Sequence, residues 1–287
     1  KRSTDANGVR GPFWESLARG AAELPPAEGS SLTQEEIDPV KAKIYGAEFE
    51  RTASFMSGGG IAAVHAEGRG RQAIWDAMQR REVYGTSGHR ILLWFDLLNA
   101  DSSGTPKPMG SEVKLSEPPR FRVSAVGSFK QLPGCPDYID RALEKRQLEK
   151  MAGGECYYPS NERHHIERIE VIKIEPQLFA SESVTNLIQE NWRIFDCSPS
   201  ADGCEIEFSD PDFAEQGRDA LYYVRAIEEA VPTINAGNLR TRFDEDGQPE
   251  SMSPCNGDYR TKATDDCLKP AGQRAWSSPI FVDYKKS

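Results

Sequence analysis

A chain of 287 residues is long enough for one large core or two ordinary ones, yet only 38% of it is hydrophobic and its formal net charge is -10. That acidity excludes a phosphate-tracking nucleic-acid face, which needs a dominant basic surface. No apolar run is long enough to span a membrane.

Residues 1–54 read as an irregular arm: "PPAEGSSLTQEEIDP" carries turn and capping residues, and "PFWESLARGAAEL" offers one short amphipathic helix. The chain opens on Lys1 with neither an initiator Met nor an apolar signal core, so the sequence predicts a trimmed polypeptide with site residues upstream. From 55 to 90, "GGGIAAVHA" predicts a buried strand and "EGRGRQAIWDAMQRREVY" a helix, with Ile74, Trp75, Ala77 and Met78 at helical spacing. "YGTSGHRILLWFDLL" then re-enters strand through a turn whose glycines, Gly85 and Gly88, permit a positive φ. This is the strand, loop, helix order of an α/β layer.

From 91 to 287 the pattern changes. "RILLWFDLL", "PRFRVSAVGSF", "IERIEVIKIE", "EIEFSD", "ALYYVRAIEE" and "SSPIFVDY" alternate apolar with polar positions between Pro, Gly, Asn and Asp. Alternation gives each strand one buried face, which predicts sheets packed on each other in an antiparallel β-sandwich-like region. "DRALEKRQLEKMAGG" interrupts it as a helical insertion near 137–152.

Six cysteines stand at 135, 156, 197, 204, 255 and 267. Loop closure favours the sequential pairs Cys135–Cys156, Cys197–Cys204 and Cys255–Cys267, the second read as the staple of a hairpin, although spacing alone leaves connectivity open. Zinc is the rival reading, but no CxxC or HxxxH accompanies these residues. Disulfides imply a periplasmic or secreted protein.

The chain has 4 histidines: His65, His89, His164 and His165. None forms an HxH pair, and neighbours on a strand point to opposite faces, so His164 and His165 cannot chelate one ion there. His65 and Glu67 share a face two positions apart at the C-terminal end of their strand, where α/β folds place active sites. His89 and Arg90 follow the glycine-flanked turn and join them as rim candidates. Arg69 and Arg71, at the start of the helix, are candidates for holding an anionic substrate. Ser87 lacks the G-x-S-x-G context of a nucleophile elbow, and the glycines at 58–60 lack a Walker lysine.

The run "SGGGIAAVHAEGRGRQAIWDAMQRREVYGTSGHRI" resembles the last barrel segment of the domain of unknown function 3604 family, a branch of the PHP (polymerase-and-histidinol-phosphatase) type of metallohydrolase-like proteins. "IERIEVIKI", "DALYYVRAIEE" and "RAWSSPIFVDY" resemble that family's closing β-rich region, so the likeness spans roughly residues 55–284. The resemblance implies an α+β chain: a partial PHP-like (β/α) barrel segment at 55–90, then a β-rich C-terminal domain at 91–287. It further implies a divalent metal (zinc, manganese or iron) in the intact protein, activating water for hydrolysis of a phosphoester or amide of small-molecule size. The family's Asp-Leu-His-x-His and Ser-Ser-Asp-x-His type motifs do not occur here. No metal ligand is therefore assigned in this chain, which is expected to be inactive without an upstream half or companion chain completing the barrel. The alternative is a non-catalytic binding or structural β-sandwich module of an exported protein.

Overall fold

The computed structural model describes residues 59–101, 104–144, 146–148, 156–234, 242–251 and 268–285. The predicted arm at 1–54 and the pair Cys255–Cys267 lie outside the described residues.

In chain order, β1 (Ile61–Val64), α1 (Arg71–Gln79) and β2 (Val83–Thr86) are followed by β3 (Leu92–Leu97), β4 (Lys107–Pro108) and β5 (Glu112–Leu115). β6 (Arg120–Val126), β7 (Phe129–Pro133), α2 (Asp137–Ala142), β8 (Tyr157–Arg163) and β9 (Ile166–Ile174) come next. After β10 (Ile188–Asp196), β11 (Cys204–Ser209) and α3 (Phe213–Gln216) run β12 (Ala220–Ile234), β13 (Arg242–Phe243), β14 (Pro249–Ser251), β15 (Leu268–Ser277) and β16 (Ile280–Tyr284).

Two compact units divide the chain. The smaller comprises Lys1–Gly59 and Ala230–Ala271. Within it β13 pairs antiparallel with β14, and Asp244 Oδ1 accepts the backbone N–H groups of Asp246 and Gln248 to close the turn between them. The larger comprises Gly60–Glu229 and Gly272–Ser287; β12 and β15 contribute residues to both units.

Among the described residues the larger unit holds two main sheets and the two-stranded pair β7–β8. An 8-stranded sheet runs β1-β2-β15-β12-β16-β5, with β9 on β12 and β10 on β9, and a 4-stranded sheet runs β11-β6-β3-β4. β3 and β6 show why they form. Leu93, Phe95 and Leu97 alternate inward on one, Phe121, Val123 and Ala125 on the other, each fully buried at 0–1% exposure. Their counterparts across the gap are Ile169 and Val171 of β9, Tyr222, Val224 and Ala226 of β12, Ala275 of β15, and Ile280 and Val282 of β16. Phe121 sits at the meeting point, 5.3 Å from Phe95, 5.1 Å from Phe208 and 4.8 Å from Tyr222 between ring centroids. Burying such side chains supplies the main favourable term of a sandwich.

This architecture corrects the expected barrel segment. β1 and β2, which flank α1, pair directly with each other and antiparallel, Ile61 opposite Thr86 and Val64 opposite Val83. A (β/α) barrel requires parallel neighbours joined by crossover helices. Among the described residues strands predominate, helices are few and no barrel closes. α1 therefore lies in the connection of an antiparallel strand pair at one edge of the larger sheet.

Two disulfides close among the described residues. Cys135–Cys156 joins the ends of the antiparallel pair β7–β8, across the excursion that contains α2. Cys197–Cys204 links β10 to β11, but these strands are not paired: β10 lies on β9 and β11 on β6. The bridge thus staples a crossing between the two sheets and not the hairpin that the turn residues suggested.

Candidate functional site

A gathering of chemistry-bearing side chains in the larger unit lies where β12 leaves the core. Glu228 continues the inward face of Tyr222, Val224 and Ala226, so its carboxylate is only 1% exposed. A buried carboxylate costs several kcal/mol unless bonded, and two contacts satisfy this one. His89 Nδ1 lies 2.7 Å from Oε2, while the Ser128 backbone N–H donates to Oε1 at 2.5 Å. Ser128 Oγ also stands 3.2 Å from the same His89 Nδ1. Burial, the largest single influence, pushes the Glu228 carboxyl up, but the bonds from His89 and Ser128 together outweigh it and hold the group below its ordinary range.

Glu229 repeats the arrangement one residue on. Its Oε1 is 3.1 Å from His164 Nδ1, and bonds from His164 and the His165 backbone lower its carboxyl against the opposing effect of burial. The His89 and His164 rings stack with centroids 5.3 Å apart. Local backbone makes this possible. Gly88, with φ 130°, turns the chain after β2 as the glycine spacing predicts, setting His89 toward β12. Gly127, between β6 and β7, lies against the His164 carbonyl so closely that any Cβ would strike it. Beside it the His164 N–H donates to the Ser128 carbonyl at 2.9 Å.

The geometry limits the chemistry. In a serine hydrolase the acid holds one imidazole nitrogen and the nucleophile uses the other, so that a proton crosses the ring. Here Ser128 Oγ and Glu228 Oε2 address the same nitrogen, and Ser128 is buried at 4% exposure. The group ties the 87–90 turn, the β6–β7 link and the β8–β9 link to β12. Sequence reading named His89 but missed Ser128, Glu228 and Glu229. The available signal was a pair of glutamates ending the apolar alternation of "ALYYVRAIEE".

The other candidates are dispersed. His65 Nε2 bonds the Leu93 carbonyl at 2.8 Å, with its ring beside Tyr84 and Trp94. Glu67 is exposed beyond the end of β1 and Arg69 is exposed in the loop before α1. Arg71 borders a shallow groove with Gln72, Ile74, Trp75 and Met78. Arg90 is exposed beside His89. Ser87 Oγ is engaged by β15, donating to Gln273 Oε1 at 2.6 Å and accepting from the Arg274 N–H at 2.9 Å. No three His, Cys, Asp or Glu side chains converge as a metal-holding group among the described residues. His65, His89 and His164 are each hydrogen-bonded within the protein.

Residues 21–128 match a family model described as protein of unknown function (DUF3604). That stretch includes His65, His89 and Ser128, whereas His164, Glu228 and Glu229 lie beyond it. It covers less than half of the chain and lies toward its N-terminal side, which corrects the placement of the likeness over roughly 55–284 as a C-terminal portion. The match carries no support for a PHP or metallohydrolase relationship. No curated protein and no solved structure matches the chain.

Proposed function

We propose that this chain acts as a non-catalytic β-sandwich module, binding or structural, of an exported protein. The observation that carries the reading is the convergence of Ser128 and Glu228 on one nitrogen of His89. It makes the His89 group a clamp between strands in place of a proton relay. The continuous core between two sheets supports it, since such a body needs no bound group to hold its shape. Two disulfides support export, because such bonds persist in oxidising compartments.

The hydrolytic alternative makes an opposite prediction. Purified chain, reconstituted separately with zinc, manganese and iron, is assayed on chromogenic phosphomonoesters, phosphodiesters and anilides, and its metal content is measured after desalting. The expected result is no metal-dependent turnover and no stoichiometric metal. Stoichiometric metal with turnover abolished by chelation would overturn the proposal.

A further inference from the structure

Lysine is among the side chains least often fully buried, yet Lys173 of β9 is 1% exposed. Its Nζ lies 2.7 Å from Asp210 Oδ2, also 1% exposed, and 3.1 Å from Glu175 Oε1, which is 9% exposed. Gln216 Oε1 accepts from Nζ at 2.7 Å and the Trp192 ring lies 5.8 Å away. Tyr222, directly opposite Lys173 on β12, donates its hydroxyl proton to Asp210 Oδ2 at 2.6 Å, and the Asp212 N–H bonds Oδ1 at 3.2 Å. Glu175 Oε1 is buried and makes no hydrogen bond of acceptable geometry among the described residues, in spite of its closeness to Nζ. Lys173 thus faces two buried carboxylates, Asp210 and Glu175, the second also 3.6 Å from Arg218 Nε through its Oε2.

We propose that Lys173 and Asp210 form an intramolecular amide bond, with Glu175 as the proton acceptor. The reactants are an ammonium and a carboxylate, and the products are an amide and one water. One Nζ proton passes to Asp210 Oδ2 across their hydrogen bond, leaving a neutral amine beside a carboxylic acid. The nitrogen lone pair attacks Asp210 Cγ, forming the C–N bond, while the Asp212 N–H stabilises charge on Oδ1. A second proton moves from nitrogen to Glu175 Oε1 and from there to Oδ2, whose bond to Cγ breaks as it leaves as water. Tyr222 holds Oδ2 throughout; burial and the Asp210 carboxylate push its phenol far above its ordinary range, so it remains a donor. Nothing is oxidised or reduced. Fixed proximity replaces the activation that free amines and acids need. The bond joins β9 of the larger sheet to the end of β11 in the smaller one, a covalent tie between the two layers.

The test is the intact mass of the whole chain, denatured and fully reduced, followed by protease mapping. The expected result is a mass one water below that of the sequence, and a branched species joining the Lys173 peptide to the Asp210 peptide. Glu175→Gln and Asp210→Ala, checked for folding by circular dichroism, should return to the full sequence mass. Wild-type chain at full mass, or a water loss that maps elsewhere, would overturn the proposal, and this holds whether or not the variants fold.

Discussion

Glu228 carries the most testable electrostatics among single residues. Its carboxyl is held below the ordinary value of 4.5 in the folded chain, so near that pH the unfolded chain binds more protons. The resulting stabilisation is fully present above 4.5, and is lost as pH falls through the depressed folded value. Wild-type thermal midpoint should therefore decline on acidification below that range. Glu228→Gln should be less stable at neutral pH by about 1–3 kcal/mol, through weakened bonds at a buried site, and should lose less on acidification. An unchanged acid slope in the variant would remove the clamp from the picture. Little of this was legible beforehand: His89 stood out as one of few histidines, but its partner is 139 positions away, and no local pattern encodes such a distance. Lys173 was hidden differently, as one polar letter in the alternating run "IERIEVIKI". Its inward direction follows from pairing with β12, not from propensity.

Individual elements were easier to anticipate than their partners. The alternation in "RFRVSAV" identifies β6 because period two is a local property of extended chain. The helical spacing of Ile74, Ala77 and Met78 identifies α1 for the same reason. What the order strand, helix, strand does not specify is the sense in which β1 meets β2, since a helix can join parallel or antiparallel neighbours. The family resemblance implied the expected barrel, and the antiparallel register at Ile61–Thr86 removes it. The cysteines behave similarly. Cys197 and Cys204 are separated by 7 positions, which suggests closure but hides the fact that β10 and β11 belong to different sheets. Replacing both with serine should destabilise the larger unit by about 2–3 kcal/mol in denaturant titration, mainly through the unfolded state. No change beyond measurement error would mean that the bridge constrains nothing the sheets do not already fix.

For the larger unit as a whole, the physical idea is two sheets meeting face to face, with polar side chains recruited to the ends of their shared core. Lys173, Glu175 and Asp210 lie with Tyr222 toward the beginning of β12, and Glu228 lies farther along the same strand. Apart from Glu175 Oε1, which is buried without a hydrogen bond among the described residues, the side chains of both groups are bonded within the protein. The proposed module reading depends on this face-to-face packing more than on any one residue. The most direct measurement is the nuclear Overhauser effect between the aromatic protons of Phe121 on β6 and Tyr222 on β12, whose ring centroids are 4.8 Å apart. Strong cross-peaks between them, together with antiparallel cross-strand contacts between β1 and β2, are the predicted result. Absence of the Phe121–Tyr222 contact, with parallel contacts between β1 and β2, would contradict the sandwich.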